Sequence, residues 1–297
     1  MKNRPIRHRI EYGLYLTLKG LLRALPHETA RRLGRGVGAL GHALDRRHRE
    51  VALRNLEMAI PEIPPDERRR LVRECFRHFG AALCDVISAG RFDAREICAR
   101  LSLEGWENVH AAARPGKGFF VLSPHLGMWE IVPPVVGLYH APMHIIMRPA
   151  DNPYLNRELL AAREQFGNRT IPKRGAARRM LETLREGGIV GILIDQRVQA
   201  KEGIEVPFFG RPALTTPVLA RVSLRTGAPV LPVAMFPEPH GRYRLVVHPP
   251  IFPSADGGQV EEAVVALTRR YLEVAEQDIR RHPEQWLWMH RRWEARK

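Results

Sequence analysis

The sequence contains few cysteines and no pattern that would pair them. Its 297 residues include Cys75, Cys84 and Cys98, and none of the three belongs to a CxxC motif. An odd number of isolated thiols argues against a disulfide framework and against a cysteine zinc site. We therefore predict reduced thiols that face a cytosolic compartment.

A run of apolar residues long enough to cross a membrane is also missing. A bilayer-spanning helix needs roughly 18 to 20 apolar residues, whereas the best candidate, residues 10–25, contains Glu11, Lys19 and Arg23. The same segment lacks the small-residue cleavage site of a signal peptide. Helical spacing brings a set of leucines to one side: Leu14, Leu18, Leu21, Leu22 and Leu25. We predict that residues 1–25 form an amphipathic segment in the membrane interface, although a core helix has the same periodicity.

Several motifs of catalysis and of nucleic-acid binding are absent as well. The chain has no GxSxG elbow for a serine nucleophile and no HExxH motif for a zinc hydrolase. It also lacks zinc-finger and RNP-like patterns. The glycine-rich run at residues 34–41 is not followed by the Lys-Ser/Thr pair of a phosphate-binding loop, so it favours close packing of helices.

Positive charge is what the sequence has in excess. There are 47 Lys and Arg residues against 32 Asp and Glu, a net charge of +15, and the first 100 residues hold +9 of it. Such a chain attracts polyanions: nucleic acid, anionic lipid or an acidic carrier protein. A nucleic-acid-binding protein remains a remote alternative, because charge is its only support.

The hydrophobic pattern predicts the fold class. Residues 1 to about 100 have a helical pattern, and from Gly116 short β-rich runs alternate with helical stretches. We predict an α/β fold, with a central mixed sheet flanked by helices and preceded by a basic helical N-terminal region that includes the amphipathic membrane-associated helix. Residues 26–297 would form one domain, with a helical part at 26–115 and a catalytic sheet part at 116–297. The predicted strands cover 119–123, 143–148, 189–195, 230–236 and 243–248, and the predicted helices cover 154–166, 176–186, 214–226 and 260–281.

One segment of the sheet part suggests chemistry. After the apolar run at 119–122 come Ser123-Pro124, then His125 and Glu130. His125 is a candidate general base, and Glu130 could accept a hydrogen bond from its other ring nitrogen. Five positions on one helix leave two side chains about 140° apart. The pair therefore requires His125 on a strand-to-helix turn, which Gly127 suits. An unrelated structural histidine and glutamate stay open as the alternative.

The order of short motifs resembles a known family. HLGMWE at 125–130 is similar to the HX4D/E motif of glycerolipid acyltransferases, and SPHLGMWE resembles most the lipid A biosynthesis acyltransferases, the late lauroyl and myristoyl transferases. Further blocks agree in order: ALRNL at 52–56, RPADNPYLN at 148–156, IDQ at 194–196, VPFFG at 206–210, TGAPV at 226–230 and PEQWLWMHRRW at 283–293. Met128 stands where many members have Asn, and many members begin with a clearer transmembrane helix.

The resemblance implies a reaction and its partners. Acyl carrier protein, or possibly acyl-CoA, would donate a fatty acyl chain to a hydroxyl of a lipid A precursor or a related phosphorylated glycolipid. His125 would take the hydroxyl proton, with no acyl-enzyme, no cofactor and no metal. The enzyme would lie on an anionic membrane surface, at the cytoplasmic face of the bacterial inner membrane, as a peripheral or monotopic protein. A phosphatidylinositol mannoside or a lysophospholipid acceptor stays open.

The same blocks suggest the residues that bind substrate. Arg148 could bind an acceptor phosphate or an oxyanion, and Asp195 is expected to orient Arg148 or a loop. Asn152 and Gln196 are assigned to substrate binding from their blocks. Phe209 and Gly210 are expected to line an acyl channel, with core packing as the alternative. The aromatic tail at 286–293 suits either a membrane-interface belt or a packed lid.

Overall fold

A mixed seven-stranded sheet forms the centre of the protein. The computed structural model describes residues 5–89, 93–254 and 259–293, so the outermost parts of the predicted ranges, residues 1–4 and 294–297, lie outside the described residues. The strand order is β1-β9-β8-β2-β5-β3-β4, in which β8 and β9 pair antiparallel and the other neighbours are parallel. The strands are β1 (Leu101–Glu104), β2 (Phe119–Leu122), β3 (Met143–Met147), β4 (Arg169–Pro172), β5 (Ile189–Ile192), β8 (Val230–Glu238) and β9 (Arg242–Val247). This confirms the predicted mixed sheet.

A separate hairpin and eleven helices complete the described chain. The antiparallel hairpin pairs β6 (Ile204–Phe208) with β7 (Arg211–Thr215). The helices are α1 (Pro5–Ala24), α2 (His27–Leu44), α3 (Arg46–Ala59), α4 (Pro65–Ala89), α5 (Ala94–Arg100), α6 (Glu107–Ala113), α7 (Val132–Tyr139), α8 (Pro153–Arg163), α9 (Ala176–Arg185), α10 (Val218–Thr226) and α11 (Val260–Arg281).

The central strands β2 and β5 have the apolar pattern from which the sheet part was predicted. All four residues of β2 and all four of β5 are buried. Parallel strands covered on both faces have such uninterrupted apolar runs. These short strands lie in the middle of the sheet and carry the candidate site at their carboxyl ends.

Some predicted elements differ from the structure. The predicted helical part at 26–115 contains β1, whose residue Leu101 pairs with Tyr243 of β9. Four residues are too few to show strand periodicity, and the partner is distant in sequence. The predicted helix at 214–226 begins only at Val218, because Leu214 and Thr215 belong to β7.

The glycine-rich run packs α2 against α4, as predicted. A Cβ built on Gly34 would lie 2.5 Å from the Gly80 carbonyl oxygen, and one built on Gly38 would lie 2.1 Å from that of Phe76. Only residues without side chains allow two helix backbones to approach this closely. The glycine face of α2 is therefore the buried face.

The leucines of α1 do not share one environment. Leu22 is buried, and Leu25, just after the helix, packs against the same small cluster. Leu14, Leu18 and Leu21 are exposed. Within the described residues, none of the helices combines the length and the hydropathy that a bilayer-crossing helix requires. The membrane association of residues 1–25 stays a prediction.

Candidate active site

His125 and Asp195 meet because they end neighbouring strands. Leu122 of β2 is in register with Ile192 of β5, and the two strands are parallel. His125 and Asp195 each lie three residues beyond that registered pair. The carboxyl ends of parallel strands lie at one edge of a sheet, which is the usual position of α/β active sites. The topology therefore brings these two residues together although 70 positions separate them in the sequence.

Asp195 holds His125 through both its backbone and its ring. The Nδ1 atom of His125 lies 2.7 Å from Oδ1 of Asp195, and the His125 backbone N–H donates to Oδ2 over 2.7 Å. Trp286 Nε1 also donates to Oδ2, over 2.8 Å. Burial raises the pKa of the Asp195 carboxyl, but the His125 charge and these hydrogen bonds outweigh it and lower the pKa to about 2. Asp195 is therefore a carboxylate at neutral pH.

The ionised carboxylate fixes the tautomer of the ring. An ionised aspartate only accepts hydrogen bonds, so Nδ1 carries the proton and Nε2 offers its lone pair. The Nε2 atom lies 3.1 Å from the Gln196 side-chain nitrogen, which can donate to it. The His125 side chain is 20% exposed. Its basic nitrogen thus has a polar partner that an incoming hydroxyl can replace.

The loop that carries His125 is fixed on both sides. The Leu287 backbone N–H donates to the His125 carbonyl over 3.2 Å, and that of Met128 donates to the Met235 carbonyl over 2.7 Å. Gly127 has φ +60°, and a Cβ there would lie 2.0 Å from the Met235 oxygen. The prediction that a glycine allows this turn is confirmed. Regular helix α7 begins later, after a 3-10 turn at Trp129–Ile131.

Glu130 does not contact the His125 ring, so the predicted hydrogen bond between them is wrong. Its carboxylate forms a two-pronged ion pair with Arg163, over 2.9 Å to Nε and 2.5 Å to Nη2. Trp129 Nε1 also donates to Glu130, over 3.2 Å. The indole ring of Trp129 lies 5.4 Å from the His125 ring. The acid that contacts His125 is Asp195, which follows β5, and Glu130 contacts Trp129, whose ring lies next to His125.

A mostly apolar pocket lies beyond the Glu130–Arg163 pair. Its lining includes Val86, Pro134, Leu159 and Tyr243. The cavity volume is about 40 Å³, whereas a cavity that holds one benzene measures about 150 Å³. An acyl chain would have to displace side chains to enter it.

Arg148 lies in a broad basic cleft and away from Asp195. Its guanidinium is exposed and 3.3 Å from Asp151, so the expectation that Asp195 orients Arg148 is wrong. The alternative, that Asp195 orients a loop, agrees with the hydrogen bonds that it accepts from the His125 backbone and from Trp286. The cleft has a volume of about 1290 Å³, and its basic lining residues are Arg47, His48, Arg54, Arg148, Lys173, Arg197 and Arg291, with Glu202 as the one acid among the lining residues that the structure describes. His290 also lines the cleft, and burial lowers its pKa to about 4. Arg197 follows Gln196 directly, and its backbone N–H donates to His290 Nε2 over 3.0 Å. The cleft thus opens beside the His125–Asp195 pair and suits an anionic ligand.

Asn152 has a structural position, and its assignment to substrate binding stays a prediction. Its side-chain oxygen caps α8 by accepting from Tyr154 N over 3.0 Å. Its amide donates to the His8 carbonyl and to Glu11, over 3.0 and 2.9 Å. Both ends of the amide are occupied, so Asn152 joins α8 to α1. Gln196, in contrast, lies at the site.

Phe209 and Gly210 form the turn of the β6–β7 hairpin. They are the two central residues of the β6–β7 hairpin, with φ values of 53° and 69°. Positive φ at both positions is typical of a type I′ hairpin turn. Phe209 is buried against Trp286 and Trp288, while Gly210 is exposed. Phe209 therefore packs in the core, the alternative that the sequence left open, and the acyl-channel assignment of the two residues stays a prediction.

The aromatic tail is a packed lid over the site. Trp286 and Trp288 are 1% and 0% exposed. The Asn55 amide of α3 donates to the carbonyls of Trp288 and His290 over 2.7 and 2.6 Å. Of the two readings that the sequence left open for this segment, the structure supports the lid.

The sequence did not predict that Asp195 pairs with His125, and it indicated no role for the side chain of Asn55. An acid after an apolar strand was a usable signal for Asp195, because a parallel neighbour would place it beside His125. Asn55 belongs to the ALRNL motif at 52–56, but nothing in that motif indicates the partners of its side chain. Its carbonyl partners lie more than 230 residues away in the sequence.

Comparison with known proteins identifies the family. The family model described as bacterial lipid A biosynthesis acyltransferase matches residues 2–295. The lipid A biosynthesis palmitoleoyltransferase of Escherichia coli is 29% identical over 277 residues, which cover 92% of this chain and 87% of that protein. The lauroyltransferase of the same organism is 27% identical over 275 residues, with the same coverage. A phosphatidylinositol mannoside acyltransferase of Mycobacterium tuberculosis is 26% identical over 222 residues, 73% of this chain and 68% of that protein. The chain therefore belongs to the bacterial lipid A biosynthesis acyltransferase family and is an enzyme that transfers acyl groups.

Proposed function

We propose that this enzyme transfers a fatty acyl chain from the thioester of acyl carrier protein to a hydroxyl of a phosphorylated glycolipid of the lipid A precursor class. The observation that carries the proposal is the imidazole–carboxylate pair of His125 and Asp195, which leaves Nε2 basic at the edge of the sheet. The match to the family over residues 2–295 supports the acyl chemistry. Acyl-CoA is the alternative donor.

The proposed step is a direct transfer. The acceptor hydroxyl replaces the Gln196 amide at His125 Nε2, gives up its proton there and forms a bond to the thioester carbonyl carbon. The resulting oxyanion intermediate collapses, the carbon–sulfur bond breaks, and the thiolate takes the proton back from the ring. The products are an ester and a free thiol. Asp195 stabilises the imidazolium between the two proton transfers.

Glu130 is proposed as a positioning residue. Its ion pair with Arg163 and its hydrogen bond from Trp129 hold the indole ring that lies beside His125. A group that acts through another residue contributes less than the base itself. Its loss should therefore be milder than that of His125.

The basic cleft supports a phosphorylated acceptor. Arg148 and Lys173 lie in its lining, and a cleft with many cations and one acid attracts phosphate groups. Changing both residues to Gln should raise KM for the lipid acceptor about tenfold or more and leave kcat within a few-fold. The control is Arg178→Gln, an exposed arginine of α9 outside the cleft. An unchanged KM for the acceptor would remove the cleft from the proposal.

The experiment on the base compares two histidines. His125→Ala should lower the rate of acyl transfer by about 10² to 10⁴. His248→Ala is the matched control, because His248 also pairs with a buried aspartate, Asp278, at 2.8 Å and is 16% exposed.

Transfer would be measured from acyl carrier protein and from acyl-CoA to a lipid A precursor and to a phosphatidylinositol mannoside. Faster transfer to the mannoside, the acceptor class named for one relative, would move the substrate assignment there. Near wild-type activity of His125→Ala would refute the mechanism.

We also propose that the enzyme works at the cytoplasmic face of the bacterial inner membrane as a peripheral protein. The glycolipid acceptor is a membrane component, whereas the carrier protein is soluble. The exposed leucines of α1 and the net charge of +15 suit an anionic lipid surface. Extraction of the full-length chain from membranes by high salt and alkaline carbonate is the expected result.

A further inference from the structure

Exposed apolar side chains are concentrated on the first two helices. Large hydrophobic residues with exposed side chains number 14 among the described residues, and ten of them belong to α1 and α2. Six lie on α1 and four on α2: Leu33, Val37, Leu40 and Leu44. A concentration of this kind marks an interaction surface, whereas scattered exposed residues do not.

The four apolar residues of α2 form one stripe, which we call the α2 ridge. Their spacing of four, three and four residues places them on one side of a helix. Their exposure ranges from 52% to 75%. Gly34 and Gly38 lie on another side of the helix and pack against α4. The glycine contacts therefore fix the rotation of α2 and turn the α2 ridge outward.

Charge around the α2 ridge indicates the partner. Residues 5–44 contain seven Lys and Arg residues against two Glu, a net charge of +5. Residues 36–44 contain no Asp, Glu, Lys or Arg; Arg32 and Arg35 precede them, and Asp45, Arg46 and Arg47 follow. Arg32, Arg35 and Arg46 form ion pairs with Glu28, Glu74 and Glu50, while Arg47 lines the basic cleft. An apolar helix face flanked by arginines suits an anionic bilayer, where the apolar side chains enter the acyl boundary and the cations meet the headgroups.

The position of the α2 ridge relates it to the active site. Arg47, three residues after Leu44, lines the basic cleft. On the other side, α1 joins α8 through Tyr12 and Lys19, which both bind Glu158. The C-terminal end of α8 carries Arg163, the partner of Glu130. The two exposed helices thus connect to both sides of the site.

We propose that the α2 ridge is a membrane-contact surface that inserts into an anionic bilayer beside α1. Contact through two helices holds the basic cleft at the level of the lipid headgroups. The proposal requires no catalytic step, so it stands or fails separately from the acyl-transfer assignment.

Vesicle co-sedimentation tests the proposal. The probe is vesicles of phosphatidylcholine alone or mixed three to one with phosphatidylglycerol. The triple variant Val37→Ser, Leu40→Ser, Leu44→Ser should reduce the partition coefficient onto the mixed vesicles by about tenfold or more, because binding scales with the apolar area buried. The matched control is Val260→Ser, Val265→Ser, which changes exposed valines of α11 and should bind as wild type does.

Two further measurements separate the possible failures. The ridge variant should keep its melting temperature and its kcat on a detergent-solubilised acceptor, since its changes are exposed and outside the site. His125→Ala should sediment with vesicles as wild type does, even if the catalytic assignment fails. Unchanged sedimentation of the ridge variant would overturn the proposal. A concentration-dependent dimer in solution that the ridge variant abolishes would also overturn it and assign the ridge to self-association.

Discussion

Asp195→Asn gives the sharpest test of the site, because Asn has nearly the same size as Asp but no charge. The carboxylate accepts three hydrogen bonds, from the His125 ring, the His125 backbone and Trp286, at 2.7 to 2.8 Å. An amide accepts through one oxygen only. In Asp195→Asn, either the His125 ring or the two N–H groups of the His125 backbone and Trp286 therefore lose their acceptor. If the amide nitrogen faces the ring, Nδ1 must accept a hydrogen bond, and the proton moves to Nε2.

The magnitude of the effect follows from the charge pairing. A pKa lowered from 3.8 to about 2 corresponds to a preference for the ionised form of about 2 to 3 kcal/mol. That preference is the balance of burial against the His125 charge and three hydrogen bonds, and the loss of an amount of this order from the imidazolium slows the step by about 10². A reversed tautomer adds to this, so the expected loss in kcat is about 10² to 10⁴.

The assay is the initial rate of acyl transfer as a function of pH for four proteins. These are wild type, Asp195→Asn, His125→Ala and the double variant. The double variant should be little slower than His125→Ala, because residues that act as a unit have non-additive effects. Asp278→Asn is the control for loss of a His–Asp pair elsewhere, and melting temperatures check the fold.

Two outcomes would refute the reasoning. One is a rate for Asp195→Asn within a few-fold of wild type. The other concerns Glu130→Gln. Because Glu130 binds Arg163, we expect this variant to lower kcat about tenfold, and we expect the effect to multiply with that of His125→Ala in the double variant. A loss for Glu130→Gln as large as that for Asp195→Asn, and non-additive with His125→Ala, would restore Glu130 as the partner of the base.

Further predictions concern stability. Gly127→Ala should lower the free energy of unfolding by about 2 to 4 kcal/mol in a denaturant titration, because its Cβ would meet the Met235 carbonyl at 2.0 Å and φ is +60°. Asn55→Ala should lower it by about 2 kcal/mol and increase proteolysis of the aromatic tail, because the buried Trp288 carbonyl and the partly buried His290 carbonyl lose their donor. Asp85 is a buried residue of α4, near His27 and Arg31. Burial raises the pKa of its carboxyl to about 7 against the opposing charge of Arg31, so its contribution to stability is full below the unfolded pKa of about 4 and is lost as pH rises through about 7. The melting temperature of Asp85→Asn minus that of wild type should therefore increase as the pH rises from 4 to 7. A difference that is equal at all pH values would contradict this.

The sequence alone was sufficient for the fold class and the family. Apolar runs such as 119–122 and 189–192 predicted buried strands, because strands covered on both faces need uninterrupted apolar residues. The predicted helix at 260–281 has the bounds of α11, since its 3.6-residue periodicity extends over 22 residues. Short elements without periodicity were missed, among them β1, β4 and the β6–β7 hairpin.

Only the tertiary structure decided which acid holds His125. From the sequence, Glu130 was the nearest candidate, five positions away, and Asp195 was 70 positions away. The parallel pairing of β2 with β5 reverses that order of proximity, because it places the ends of two strands side by side whatever their separation in the chain. Spacing along a sequence measures distance only within one helix or strand. Strand order and register set the distances between elements, and they depend on the packing of the whole sheet.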